Sequence, residues 1–151
     1  MSPSRTVSTL NRLIRTCREG EAVCRAWSEA AASPSLRELL RERSQEWARQ
    51  ADELQALVLL FSGTPARVGT ASGWLLGRWA LLRKALLGRS DLPVVLDWEH
   101  AQRGALRRYQ HALGEPLCER VRRTLTLQAS RLSAHHHRLE DLRGHFAAHS
   151  H

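Results

Sequence analysis

Apolar residues return every three to four positions along four long stretches of the chain, the spacing that places one stripe on one face of an α-helix. Breaks rich in Ser, Gly and Pro interrupt them: "SPS" at 33–35, "SGTP" at 62–65, "GRSDLP" at 88–93 and "GEP" at 114–116. The first predicted helix runs from Thr6 to Ala31 and turns Leu10, Leu13, Ile14, Cys17, Glu21, Cys24 and Ser28 inward. Ser35 is the expected cap of the second, whose stripe is Leu36, Leu39, Leu40, Trp47, Leu54, Leu57, Val58 and Phe61. The third spans Asp91 to Leu113 and faces Leu92, Val95, Leu96, Glu99, Leu106 and Leu113 to the core. The fourth, from Pro116 to Phe146, uses Leu117, Val121, Leu125, Leu132, Leu139 and Leu142. Two short breaks separated by one long link (62–90) predict an all-α four-helix bundle of two antiparallel hairpins. A Leu75, Trp79, Leu82, Leu86 stripe places a shorter helix within that crossover. One domain, 1–151, is expected, with residues 147–151 fraying.

Composition narrows this picture. Two Phe and one Tyr among many Leu, Ala and Arg favour helix over sheet. The formal charge of +8 comes from 22 Arg and one Lys, Lys84, against 15 acids, and opens the way to anionic partners. Three cysteines in helical context do not make a disulfide framework. "MSPSRTVSTL" lacks a basic-then-apolar leader pattern, and the longest apolar run, "LQALVLLF", is too short to span a bilayer. A reducing, cytoplasmic setting is the expectation.

Polar residues on the apolar stripes are the candidate chemistry. Glu21 lies between Cys17 and Cys24, all three within about 60° at about 100° per residue. Glu99 is centred on the third stripe; Arg43 and Gln50 lie on the second, with Glu46 and Glu53 at its edge. On the fourth, Gln128, His135 and His136 flank the leucine line. A buried carboxylate is costly unless paired, protonated or metal-bound, so each of these needs a partner. The three histidines of "SAHHHRLEDL" cannot share one ion, because three consecutive helical residues sweep about 200°. His136 is expected inside, and His137 begins an outer row with Asp141, His145 and His149, a weaker metal candidate.

Several segments together resemble the small bacterial ferritin-like four-helix-bundle proteins of unknown function. They are "LNRLIRTCREGE", "ADELQALV", "GTASGWLLGRWALLRKALLG", "LDWEH…Y" and "LTLQ…HHHRLEDLR", in that order from about Thr6 to Phe146. The resemblance implies a non-enzymatic, stress- or storage-associated bundle. The ferritin-like superfamily holds two metal ions with a Glu from each of two helices and a Glu-x-x-His from each of the others. On that pattern Glu21, Glu99 and His136 match ligand positions. Ser133 stands three residues before His136, however, and Glu46 and Glu53 are followed at the same spacing by Arg49 and Ala56. A complete di-iron centre is therefore not expected.

Two readings of the core polar layer follow. In one, Glu21, Glu99 and His136, helped by Glu46 or Gln50, hold a single Fe, Mn or Zn ion; Cys17 and Cys24 would add soft ligands for Cu(I). In the other, the layer is a hydrogen-bond and ion-pair network in which Arg43 neutralises Glu21, and Gln128 or His136 serves Glu99. The network accounts for an arginine on an inward position. A separate reading gives the acid-free stretch from Leu54 to Ser90, with Arg67, Arg78, Arg83, Lys84 and Arg89 beside Trp74 and Trp79, to an anionic membrane or nucleic acid. Its alternative is a helix that covers the bundle and turns its basic residues to water. No nucleophile elbow or phosphate loop is present in the sequence. Five tryptophans, with Trp98 expected to lean outward, suggest a homodimer.

Overall fold

The computed structural model describes residues 2–66 and 90–148, and among them four helices pack as a bundle. They are α1 (Pro3–Ala30), α2 (Pro34–Leu60), α3 (Leu92–Leu113) and α4 (Glu119–Ala148). Helix α1 packs along α2 and α3 along α4, and α1 also meets α3. The expected crossover helix lies outside the described residues, as do Arg67, Arg78, Arg83, Lys84, Arg89, Trp74, Trp79 and His149.

Each helix start has a local cause. Ser2 caps α1 and Ser33 caps α2, each with its hydroxyl accepting a backbone N–H three residues on. The cap of α2 is thus Ser33 and not the expected Ser35. Pro34 is already helical there, since its missing N–H and preset φ suit the first turn. Asp91 precedes α3, but its carboxylate does not cap that helix: it accepts from the backbone N–H of Ala32 and Ser33, both at 2.8 Å. One acidic residue thereby ties the start of α3 to the α1–α2 link.

The register of α1 against α2 runs in opposite directions. Arg18 reaches Asp52, the Glu21 carbonyl accepts from the Ser44 hydroxyl, and the Ser28 carbonyl accepts from Arg37. Gly20 of α1 lies against the Trp47 ring of α2. A Cβ there would lie 2.6 Å from the Trp47 indole, so only glycine leaves the ring room. After α2, Ser62 takes a left-handed φ of 56°, and Asn11 clamps the following strand of chain at Thr64 and Ala66.

The stripes of α1, α2 and α4 are largely those the pattern predicts. Leu10, Leu13, Ile14, Leu40, Leu54, Val58, Val121, Leu125 and Leu139 are fully enclosed, each side chain contributing about 1.5–3 kcal/mol by burial. Helix α3 is different. Val94, Val95, Trp98, Glu99, Gln102, Ala105, Tyr109 and Ala112 face inward, while Leu96 is 45% exposed and Leu92, Leu106 and Leu113 are half-buried. The buried face is rotated by roughly 80° from the leucine stripe. The two large rings, Trp98 and Tyr109, bury more area than the leucines they displace, and they set the face. Trp98 is 4% exposed, so it does not lean outward as expected and offers no surface to a second copy.

Candidate functional site

The polar core residues sort into separate clusters. The central one is built on Tyr109, the single tyrosine, which is completely buried between α1, α2 and α4. Its hydroxyl donates to Gln128 Oε1 at 2.6 Å, with Gln50 Oε1 further off at 3.4 Å. A phenol has one proton to give, so the contact of Cys17 Sγ with the same oxygen at 3.2 Å is a thiol donating to Tyr109. Gln128 is oriented from its other end. Its amide nitrogen donates to Glu53 Oε2 at 3.0 Å and to the Gln50 carbonyl at 3.3 Å, both acceptors only. Four elements are thereby joined: Cys17 on α1, Gln50 and Glu53 on α2, Tyr109 on α3 and Gln128 on α4. Burial, reinforced by Cys17, holds the Tyr109 hydroxyl protonated well above the usual phenol range. Burial likewise raises the Cys17 thiol to about 12, against the partial relief of the Tyr109 hydrogen bond.

A second cluster pairs α2 with α4. Arg43 Nη1 donates to Glu46 Oε2 at 2.7 Å, and His135 Nε2 lies 2.6 Å from that same oxygen and 2.7 Å from the guanidinium. One ring nitrogen cannot donate to the carboxylate and accept from the arginine at once. Burial and the Arg43 charge lower the affinity of His135 for a second proton, with Glu46 opposing them. Burial pushes the Glu46 carboxyl up, but the Arg43 hydrogen bond and charge, with His135, bring it below its ordinary value. His135 and His136 straddle the inward line of α4, 18% and 17% exposed, and it is His135 that meets Arg43 and Glu46 on α2. The buried sequence Val121, Leu125, Gln128, Leu132, Leu139 steps by three and four, and His135 and His136 both fall in the step between 132 and 139. His136 instead pairs with Glu140 on its own helix at 3.1 Å, leaving its Nδ1 buried without a partner.

The remaining acids carry arginine too. Glu99 is 4% exposed; its Oε1 receives Arg103 at 2.6 Å and Arg143 at 2.9 Å, while Oε2 is buried and unpartnered. Neither Gln128 nor His136 serves it. Glu21 is not on the core axis but at the edge facing α2, held by Arg18 at 3.0 Å and Arg25 at 3.1 Å. Arg43 does not neutralise it, having Glu46 closer at hand. Sequence periodicity misplaces Glu21 because the helix face it shares with Cys17 and Cys24 is wide; the long side chain turns to the rim, where water and guanidinium reach it.

The geometry thus does not bring Glu21, Glu99 and His136 to one point, and among the described residues no three His, Cys, Asp or Glu side chains form a group that would hold a metal ion. Glu21, Glu46 and Glu99 each have a guanidinium within 3.1 Å, a fixed positive charge where a second cation would have to enter. Gln50 is engaged by Tyr109 and Gln128. The residues present do not fit the two-ion centre of the resemblance. Cys17 and Cys24 are both buried and unpaired, Cys24 raised to about 12 by burial against the Trp47 hydrogen bond. His137, Asp141 and His145 lie exposed along α4. Tyr109 and Gln102 are two of the core polar residues that sequence reasoning missed. The signal was the three-and-four spacing of 98, 102, 105, 109 and 112, which defines a second face beside the leucine stripe.

None of the helices among the described residues is long and apolar enough to cross a membrane. No curated protein matches the chain at a significant level. Residues 5–115, which cover α1, α2 and α3, match the family described as a domain of unknown function, DUF2383, and the chain belongs to that family.

Proposed function

We propose that this chain is a non-catalytic, ferritin-like bundle protein, a single domain of two antiparallel hairpins and a crossover, whose inter-helix polar layer is structural. The observation that carries the reading is the Tyr109 hydroxyl, which links Cys17, Gln50 and Gln128 at the centre of the bundle. A metal layer needs open carboxylates facing one another; here a phenol and two carboxamides occupy the core, and the acids around it are matched by arginine. The stress- or storage-associated role and a cytoplasmic setting rest on the sequence resemblance and composition alone.

Elemental analysis of the untagged protein, purified without a nickel column and offered Fe(II), Mn(II), Zn(II) and Cu(I) anaerobically, tests the reading. The expected result is no stoichiometric ion, unchanged by Glu21→Ala, Glu99→Ala or His136→Ala. About one tight ion per chain, lost with those substitutions, would replace the structural layer with a working mononuclear Glu/His site. Loss confined to His145→Ala would move metal binding to the outer row of α4. Self-association is a further part of the proposal, for which the exposed Leu59 and Leu60 at the end of α2 provide an apolar surface; a monomer at every concentration in sedimentation equilibrium would remove it.

A further inference from the structure

Helices α1 and α3 do not close on each other along their length. Where Thr16, Gly20 and Val23 face Ala101, Gly104 and Ala105, small side chains leave a cavity of about 360 Å³ walled by the indoles of Trp27, Trp47 and Trp98. Towards the start of α1, a second cavity of about 460 Å³ shares Thr16, Glu19 and Arg108 with the first. Its lining is basic: Arg12, Arg15, Arg107, Arg108 and His111 stand against the single acid Glu19. Arg108 is spoken for by Thr16 and Glu19, and Arg12 by Glu115. Arg15 and Arg107 make no ion pair or hydrogen bond among the described residues. The two cavities adjoin where Arg108 of α3 reaches Thr16 and Glu19 of α1, and make a cleft that is mostly apolar and aromatic at one end, with Asp97 and His100 also in its wall, and cationic at the other.

The apolar end also contains an unfinished contact. Gln102 lines it, is 4% exposed, and donates its amide to the Leu132 carbonyl at 3.1 Å. Because a carbonyl only accepts, the amide cannot be turned around, and Oε1 is left buried with no donor. That oxygen has almost no accessible surface, and Gln102 also borders the small space beside Arg43 and His135, so the bare acceptor lies behind the wall of the cleft.

We propose that this cleft binds a long-chain carboxylate: the headgroup between Arg15 and Arg107, and the chain along α1 past Val23 to the three indoles. The volumes fall in the range of small-molecule sites, and the asymmetry of charge fixes the direction of the ligand. The inference is independent of whether the central polar layer holds a metal, because none of that layer's carboxylates lines the cleft.

Titration of the full chain with dodecanoate and dodecylammonium, followed by calorimetry and by the indole N–H signals in NMR, tests it. Saturable binding of about one dodecanoate per chain is expected, with dodecylammonium at least about ten-fold weaker, as loss of charge-assisted hydrogen bonds implies. Arg15→Glu with Arg107→Glu weakens dodecanoate by about ten-fold or more, and Gly104→Trp, which fills the apolar end from a position where an added Cβ meets nothing within 4 Å, abolishes it. Equal affinity for dodecylammonium, or binding indifferent to Gly104→Trp, would overturn the proposal as non-specific adsorption. Absence of dodecanoate binding together with a dimer that Gly104→Trp dissociates would give the cleft to a second copy. A new proteolytic cut within residues 67–89 in Gly104→Trp, again with no dodecanoate bound, would give it to the chain itself.

Discussion

Replacing Tyr109 with Phe removes one oxygen from the middle of the bundle and nothing else. The ring stays, so no cavity opens, and the cost is that of the hydrogen bonds. Gln128 Oε1 loses its 2.6 Å donor, and Gln50 presents its oxygen, not its amide nitrogen, to the same hydroxyl. Nor can Gln128 turn over, since its nitrogen is held by Glu53 and the Gln50 carbonyl. A fully buried acceptor left bare costs about 1–3 kcal/mol, and the Cys17 thiol loses its oxygen as well, a smaller effect because sulfur is a weak donor. Tyr109→Phe is therefore expected to destabilise by about 2 kcal/mol, read as a lowered urea midpoint at unchanged slope. In a thermal melt this is about 4–8 °C for a chain of this size. Adding Gln128→Leu supplies the sharper check. With both partners apolar no bare acceptor remains in the pair, and Glu53, 45% exposed, turns to water for the donor it loses. The double variant should fall short of the summed single effects by about 1 kcal/mol, the coupling expected of contacting residues. Additive effects, or a Tyr109→Phe change under about 0.5 kcal/mol, would refute the network as described.

Three other outcomes follow from the same packing. Gly104→Ala should stabilise by about 0.5–1 kcal/mol, because its Cβ meets no atom and the helix interior gains from the loss of glycine; Gly20→Ala should destabilise by about 1–3 kcal/mol by driving a methyl into the Trp47 indole, and thermal melts of the pair must differ in sign. Folding lowers the proton affinity of both His135 and Glu46, so the unfolded chain binds more protons and stability falls on acidification, first below the ordinary histidine value of 6.5 and then below the ordinary glutamate value of 4.5. Urea midpoints between pH 7 and 5 should show that loss, and His135→Asn should flatten it. A thiol reagent at pH 8 should label exposed Cys118 rapidly, and Cys17 and Cys24, both buried and raised to about 12, only on unfolding; fast labelling of two thiols would contradict the packing of α1.

Much of the fold was legible because helical periodicity is a local signal. The breaks at 33–35 and 114–116 separate helices in the structure, and the inward lines of α1, α2 and α4 are near those the leucines mark. Burial of Arg43, Gln50, Glu99 and Gln128 was readable from their positions on those lines. Pairing was not. Periodicity gives an angle around one helix, whereas a partner depends on the height and rotation of another helix. Arg43 therefore went to Glu46 and His135 instead of Glu21, and Glu99 took Arg103 and Arg143.

Helix α3 marks the boundary between the two kinds of information. Its sequence determined that a helix forms there and ends near Gly114, but two apolar faces were available to it, one of leucines and one through Trp98 and Tyr109. Only packing against the neighbouring helices chose between them, because the larger rings bury more surface and Tyr109 finds hydrogen-bond partners on three other helices at once. That same rotation brings Ala101, Gly104 and Ala105 opposite the small residues of α1 and opens the cleft. The sequence by itself determined four amphipathic helices and a basic charge; the tertiary structure decided which polar residues meet, because a meeting is a property of two helices and never of one.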